Sequence, residues 1–286
     1  MDRPIYLDYN ATTPVDPLVA DAIDPYLREH FGNPSSSHIY GKQAHEAVEK
    51  ARAQVAALIG AHQNEIVFTS CATEANNLAI RGVARAMRGR GRHIITSAVE
   101  HPAVSQPCRR LQEDGWDLTV VPVDRYGRVD PDAVARAIRN ETVLVSIMHA
   151  NNEVGTLQPV EEVAAITRRH GVLLHTDAAQ SIGKIPVDVD ALGVDLLSLA
   201  GHKFYATKGV GALYVRQGTA IEPLLVGAGH ERGLRPGTEN VPLIAGLGKA
   251  AELALERGAA EAAQMQELRD RLHQRLQQAI PGLALN

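Results

Sequence analysis

The residues best able to do chemistry in this sequence stand in one kind of place, directly after short apolar runs. Leu196–Leu199 is followed by Ala200-Gly201-His202-Lys203-Phe204. A lysine so close to a buried strand end has its ammonium form disfavoured by desolvation. That favours a neutral amine or a Schiff-base lysine, the alternative being a side chain that snorkels its ammonium into water. Val172–Leu174 is followed by His175-Thr176-Asp177-Ala178-Ala179-Gln180. A carboxylate among small residues at such a point is costly unless paired. Its partner is either a cationic ring nitrogen of a ligand or a buried Arg or Lys of the protein.

Three further segments repeat the pattern. Ile66-Val67-Phe68 leads into Ser70-Cys71-Ala72-Thr73-Glu74, where small and hydroxyl residues open a helix. Free backbone N–H groups and the helix dipole bind phosphate there; a plain N-cap by Ser70 or Thr73 accounts for the same residues. Ile94–Ser97 precedes Glu100-His101-Pro102, which sets an imidazole at the same edge or uses it structurally. Val143–Met148 precedes His149-Ala150-Asn151-Asn152-Glu153, an amide pair that either orients a ligand or closes a turn. Taken together, an anion site, an aromatic base, an amide pair, a carboxylate and a lysine are what pyridoxal 5'-phosphate (PLP) needs. Its phosphate wants a helix N-terminus, its aldehyde a lysine, and its ring nitrogen a carboxylate that keeps it protonated as an electron sink.

The elements that must position these residues alternate between two periods. Ala44, Val48, Ala51, Val55 and Leu58 recur at helical spacing and stop at Gly60. Helical patterns over Ala75–Met87, Pro102–Leu111, Pro131–Ile138 and Val160–Arg169 separate the continuous apolar runs, which read as buried strands, Leu118–Val121 among them. Asp16-Pro17 and Asp130-Pro131 read as N-cap followed by proline at the first helical position. Ile5-Tyr6-Leu7 reads as a short apolar strand. The alternation predicts an α/β fold with a mainly parallel sheet between helices, whose ligands bind beyond the carboxyl ends of the strands. Residues 1–14 read as an N-terminal arm and 15–258 as the large domain, with the boundary at Glu256-Arg257-Gly258. Residues 259–286 read as the start of a small C-terminal domain that is largely absent, since the amphipathic stretch Ala259–Ala279 carries Met265, Leu268, Leu272 and Leu276 on one side. Such a stripe, if exposed, predicts poor solubility of the isolated chain.

Composition excludes several classes. The chain has 286 residues, 45% hydrophobic and 22% charged, with net charge -4. No basic tract suggests nucleic acid, and no apolar run approaches the ~18 residues of a membrane span. Only Cys71 and Cys108 are present, without a Cys-x-x-Cys or His-Glu-x-x-His pattern. These features imply a reducing cytoplasm, no disulfide framework and no metal site.

The whole set resembles the cysteine desulfurases of the NifS/IscS group, class-V aminotransferases of PLP-dependent fold type I. The matching stretches are Leu7–Pro14, Phe31–Ser35, Ala72–Ala75, Glu100-His101, Asn151–Gly155, Asp177–Gln180, Gly201–Lys203, Gly229–Arg232 and Gly237-Thr238. The resemblance implies a seven-stranded sheet and a homodimer. It implies that Lys203 is the Schiff-base lysine and the proton shuttle at the substrate Cα. Asp177 becomes the partner of the pyridinium nitrogen, Gln180 the donor to the ring hydroxyl, and His101 the residue that stacks on the ring and assists acid–base steps. Ala72, Thr73 and His202 become phosphate binders, Asn152 lies beside cofactor and substrate carboxylate, and Thr238 serves the phosphate of the neighbouring subunit. The implied reaction converts L-cysteine to L-alanine, with sulfur passed to an acceptor thiol and on to an acceptor or iron–sulfur scaffold protein.

The sequence departs from the family pattern at several points. Cys71 stands where glycine is usual, Ala200 where serine is frequent, and Ala206-Thr207 replaces Gly-Pro. Ala200 would remove one phosphate hydrogen bond. The family's persulfide-forming cysteine and a carboxylate-gripping arginine belong to its C-terminal domain, and neither Cys71 nor Cys108 matches that motif. Cys71 reads as a small residue in a tight turn and Cys108 as structural. A PLP-dependent β-lyase or aminotransferase, and an inactive remnant that dimerises with a homologue, are the alternatives to a desulfurase.

Overall fold

The computed structural model describes residues 4–285, and its centre is a seven-stranded sheet. The strands are β1 (Ile66–Thr69), β2 (His93–Ser97), β3 (Asp117–Val121), β4 (Thr142–Ser146), β5 (Leu173–Asp177), β6 (Leu196–Ala200) and β7 (Gly211–Val215), in the spatial order β1-β7-β6-β5-β4-β2-β3. The helices are α1 (Pro17–Arg28), α2 (Ile39–Leu58), α3 (Ala72–Met87), α4 (Pro102–Glu113), α5 (Pro131–Ala137), α6 (Val160–His170), α7 (Val189–Leu192) and α8 (Val241–Ala279). β2 to β6 pair in parallel with their neighbours, while β7 is antiparallel to both β1 and β6. β1 and the five parallel strands therefore all end at one edge.

Side chains that alternate along each strand build two cores. Val67, Ile94, Leu144, Leu196 and Leu213 face α3 and α4. Phe68, Ile95, Val145, Leu174 and Tyr214 face the opposite layer, to which α1, α2, α6 and α8 contribute. This three-layer arrangement follows from strands buried on both faces, whose continuous apolar runs were legible in the sequence. The proline-led helix starts also match: the Asp16 and Asp130 side chains accept from Leu18 N and Asp132 N. Where α8 crosses α2, a Cβ on Gly248 would come within 2.6 Å of Ala51 Cα, so that position admits only glycine at this spacing.

Two features differ from the sequence reading. β7 has no counterpart among the predicted runs, although Ala212-Leu213-Tyr214-Val215 behind its leading glycine is apolar and buried. Ile5 and Leu7, read as a strand, belong to no strand and are each 85% exposed. A strand needs ladder partners, and this arm makes turn and side-chain contacts instead. α8 runs unbroken through Glu256-Arg257-Gly258 into Ala259–Ala279. Leu283–Leu285 has no regular structure. The Met265, Leu268, Leu272 and Leu276 stripe is exposed on the outer half of α8.

One buried ion pair ties the sheet to the segment that precedes α8. Arg52 of α2 donates to both carboxylate oxygens of Glu231, at 2.7 and 2.8 Å, and to Ile66 O at 2.9 Å. Glu231 also accepts from Phe68 N at 2.7 Å, and both side chains are almost wholly buried. Glu231 and Arg232 hold left-handed φ values of 46° and 57°, a conformation that the anchor must offset. Removing one partner of such a pair strands a buried charge, whereas removing both does not. Arg52→Met is therefore expected to lower the unfolding free energy by about 3–5 kcal/mol in urea titrations. The double variant Arg52→Met/Glu231→Met should recover a large part of that loss.

Candidate active site

A cavity of about 630 Å³ opens at the edge where the parallel strands end. Its lining includes Thr73, His101, Asn152, Asp177, Gln180 and Lys203, delivered from five strand ends, with Asp177 and Gln180 sharing that of β5. Ala72 and His202 also line it. Chain separations of up to about 130 residues collapse here because parallel strands present all their carboxyl ends together.

Asp177 is the last residue of β5 and is 5% exposed. Ala179 N donates to one carboxylate oxygen at 3.0 Å and Asn76 Nδ2 to the other at 2.7 Å. Burial pushes this carboxyl above its usual range, and the two hydrogen bonds and the charges of His101 and Lys203 offset only part of that rise. Lys203 follows β6, and burial lowers its pKa against the opposing pull of Asp177 and Asp8. Its Nζ donates to Asn10 O at 2.5 Å and to Ala11 O at 3.1 Å. The N-terminal arm thus lies over the cavity. It is stapled by Thr13, whose N donates to His202 O at 3.0 Å and whose Oγ1 accepts from Tyr205 N at 2.9 Å.

The first turn of α3, where the sequence reading expects an anion, forms one wall of the cavity. Cys71 occupies the N-cap and supplies no capping side chain, so the N-cap role offered to Ser70 or Thr73 is not the one they take. The N–H groups of the first turn have no acceptor within the helix. Glu74 sits behind them: its carboxylate accepts from Ser70 N at 2.5 Å and from Arg235 Nε at 3.0 Å. Burial would raise the Glu74 pKa, but these donors more than offset it, and the net shift is downward. A Cβ on Gly211 would stand 2.8 Å from Cys71 C and 3.1 Å from Ala72 N, so glycine at the start of β7 keeps this turn clear. His202 Nδ1 is 3.1 Å from Thr12 Oγ1, and burial first, then Lys203 and Lys208, hold its pKa down.

The amide pair divides its labour. Asn151 is buried and closes a turn: its Oδ1 accepts from Glu153 N and Val154 N, and its Nδ2 donates to Val99 O. Asn152 alone lines the cavity. His101 caps α4, its Nδ1 accepting from Ala103 N at 3.0 Å. Thr238 is exposed and lies outside this cavity, on a smaller one with Arg235 and Ser70. Cys108 is 1% exposed and burial pushes its thiol up to about 12, which makes it inert. Cys71 is half-buried at the cavity wall, and Ala200 presents no hydroxyl there.

The chemistry of this donor set fits PLP: an amine, a buried carboxylate with a lone pair still to offer, and free helix N–H groups share one cavity. Sequence reasoning missed several supporting groups. Asn76 is fully buried, with Oδ1 unpartnered, and its signal was only its position one turn beyond Ala72 in α3. The carbonyls of Asn10 and Ala11 carry no side-chain signature at all.

Residues 5–286 match the family described as Aminotransferase class-V, and the fold and the site place the chain in that class. The cysteine desulfurase IscS of Dictyoglomus turgidum is 51% identical over 286 residues, which is all of this chain and 73% of that protein. A solved NifS-like protein superimposes with a TM-score of 0.94 at 45% identity, over 96% of this chain and 76% of the other. A solved structure of SspA in complex with cysteine has a TM-score of 0.85 at 44% identity, over 87% and 72%. Within the class, the chain belongs to the cysteine desulfurase family of the IscS and NifS type.

Glu100, beside His101, has its carboxyl buried behind the cavity wall. Its carboxylate is turned inward, accepting from Ser97 Oγ at 2.5 Å and Met148 N at 3.0 Å. Burial, with a smaller contribution from Asp177, pushes it up to about 8. A carboxyl whose folded pKa is raised keeps its stability below the unfolded value and loses it as pH rises toward the folded value. Wild-type stability should therefore fall relative to Glu100→Gln between pH 4.5 and about 8, by up to about 1.4 kcal/mol per pH unit. Urea titrations of both proteins across that range are the check.

Proposed function

We propose that this chain is a PLP-dependent cysteine desulfurase whose cofactor is held through Lys203. The observation that carries the reading is the placement of Lys203 and the buried Asp177 in one cavity under the free N-terminal turn of α3. When bound, the cofactor supplies an electron sink for charge that develops at the substrate Cα.

The roles of the chain's own residues follow. Asp177 holds a proton at the ring nitrogen, and its two hydrogen bonds, from Asn76 and Ala179, favour the ionised carboxylate against the opposing effect of burial. Ala72, Thr73 and His202 bind the phosphate. Gln180 donates to the ring hydroxyl, Asn152 orients the substrate carboxylate, and His101 covers the ring face. Lys203, whose depressed pKa favours a free amine, takes the proton from Cα of L-cysteine. The substrate sulfur then leaves to an acceptor thiol, which becomes a persulfide as L-alanine forms. Cys108 is too deeply buried to be that thiol, and Cys71 stands at the phosphate end of the cavity. The acceptor is accordingly a thiol other than these two, carried by a sulfur-acceptor or scaffold protein or by further polypeptide.

Thr238 is exposed and shares a small cavity with Arg235, whose Nε donates to Glu74 behind the α3 turn. That supports its service to the phosphate site of a second copy in a homodimer. The solved SspA complex with cysteine supports the choice of substrate.

Absorption spectroscopy of the purified chain with PLP tests the reading. A visible band should form in the wild type, be absent in Lys203→Ala, and shift on addition of L-cysteine. Alanine should accumulate only when a thiol acceptor is supplied. Pyruvate and free sulfide released without a thiol would point to a β-lyase, and a missing band would refute the cofactor assignment.

A further inference from the structure

Lys184 lies in the turns that leave β5, four residues beyond Gln180, and is half-buried. Its Nζ donates to Gln180 Oε1 at 2.6 Å. The other end of the same amide, Nε2, donates to Asn10 O at 3.0 Å, and that carbonyl also accepts from Lys203 Nζ. A hydrogen-bonded chain therefore runs from Lys184 through Gln180 and the arm to Lys203.

A carboxamide has an accepting end and a donating end of nearly the same shape. An ammonium has donors only, so it binds the oxygen and rejects the NH₂. With Oε1 held by Lys184, the N–H groups of Gln180 are left for the arm and the cavity. The opposite flip would set NH₂ against an ammonium and a carbonyl oxygen against the Asn10 carbonyl, two repulsions at once.

We propose that Lys184 is a positioning residue that locks the Gln180 amide with its donors toward the cavity and places a second positive charge behind Lys203. This inference rests on the reading of the cavity as a PLP site with Lys203 as its amine. Lys203 is faced by Asp177 from β5 and Asp8 from the arm, and His101 and His202 line the same cavity. Lys184 adds the opposing charge. Burial lowers the Lys184 pKa and the charge of Lys203 lowers it further. Repulsion is mutual, so the Lys184 ammonium also makes a proton on the Lys203 nitrogen less stable.

The test compares Lys184→Met and Lys184→Arg with wild type, each titrated with PLP. One readout is the dissociation constant for PLP from absorbance; the other is the pH midpoint of the visible band. Lys184→Met should weaken PLP binding about fivefold, the size of one lost hydrogen bond. Its pH midpoint should rise by about half to one unit, because a lost donor and a lost positive charge both make the proton harder to remove. Lys184→Arg, also a donor-only cation, should stay within about twofold of wild type in binding. Its midpoint should not move. The urea midpoint of Lys184→Met should match wild type, which separates positioning from folding. An unchanged dissociation constant and pH midpoint in Lys184→Met, or an arginine variant that behaves like the methionine one, would overturn the proposal. A wild-type chain without any visible band would overturn the cofactor reading, and this inference with it.

Discussion

A carboxylate taken out of water must be kept charged by its neighbours, and the cavity is organised around that requirement at Asp177. In an apolar setting the group would take up a proton and lose its use as a partner for a cation. One hydrogen bond to each oxygen, from Ala179 N and Asn76 Nδ2, works against the burial that raises its pKa and fixes its direction. Asn76 leaves its own Oδ1 without a partner in doing so. A buried unsatisfied acceptor costs about 1–3 kcal/mol. Stability is given up at α3 so that charge can be held at the end of β5.

The sheet makes this affordable in geometry. Asp177 ends β5, Ala200 ends β6 three residues before Lys203, and Thr69 ends β1 just ahead of the α3 cradle. β7 enters between β1 and β6 in the reverse direction, so that Lys203 lies on a connection clamped by paired strands at both ends. The arm closes the cavity from outside by lending main-chain oxygens. Rigid strands thus set the distances between cradle, carboxylate and lysine, and short connections set the side-chain directions.

Much of this was legible in the sequence because the chemistry sits directly after continuous apolar runs. Lys203, Asp177, Gln180 and the Thr73 turn were found that way, and the strand–helix alternation carried the α/β fold. What escaped has physical reasons. β7 starts at a glycine that serves the neighbouring turn, and this hides the apolar stretch Ala212–Val215 behind it. The Asn10 and Ala11 carbonyls act through main chain, which no residue type reports. Asn151 and Asn152 are identical in type, and only the structure separates the one that closes a turn from the one that faces the cavity. α8 continues through Gly258, since a single glycine costs a helix only about 1 kcal/mol.

The staple between Thr13 and the His202–Tyr205 turn joins residues about 190 positions apart. A ribosome makes the arm first and its docking site much later. At about 5–20 residues per second, the arm waits about 10–40 s before residue 205 is even synthesised. Through that interval Ile5, Tyr6 and Leu7 trail from the nascent chain with nothing to bind, and the cavity has a floor but no cover. The cover of this site is made well before the turn that holds it in place.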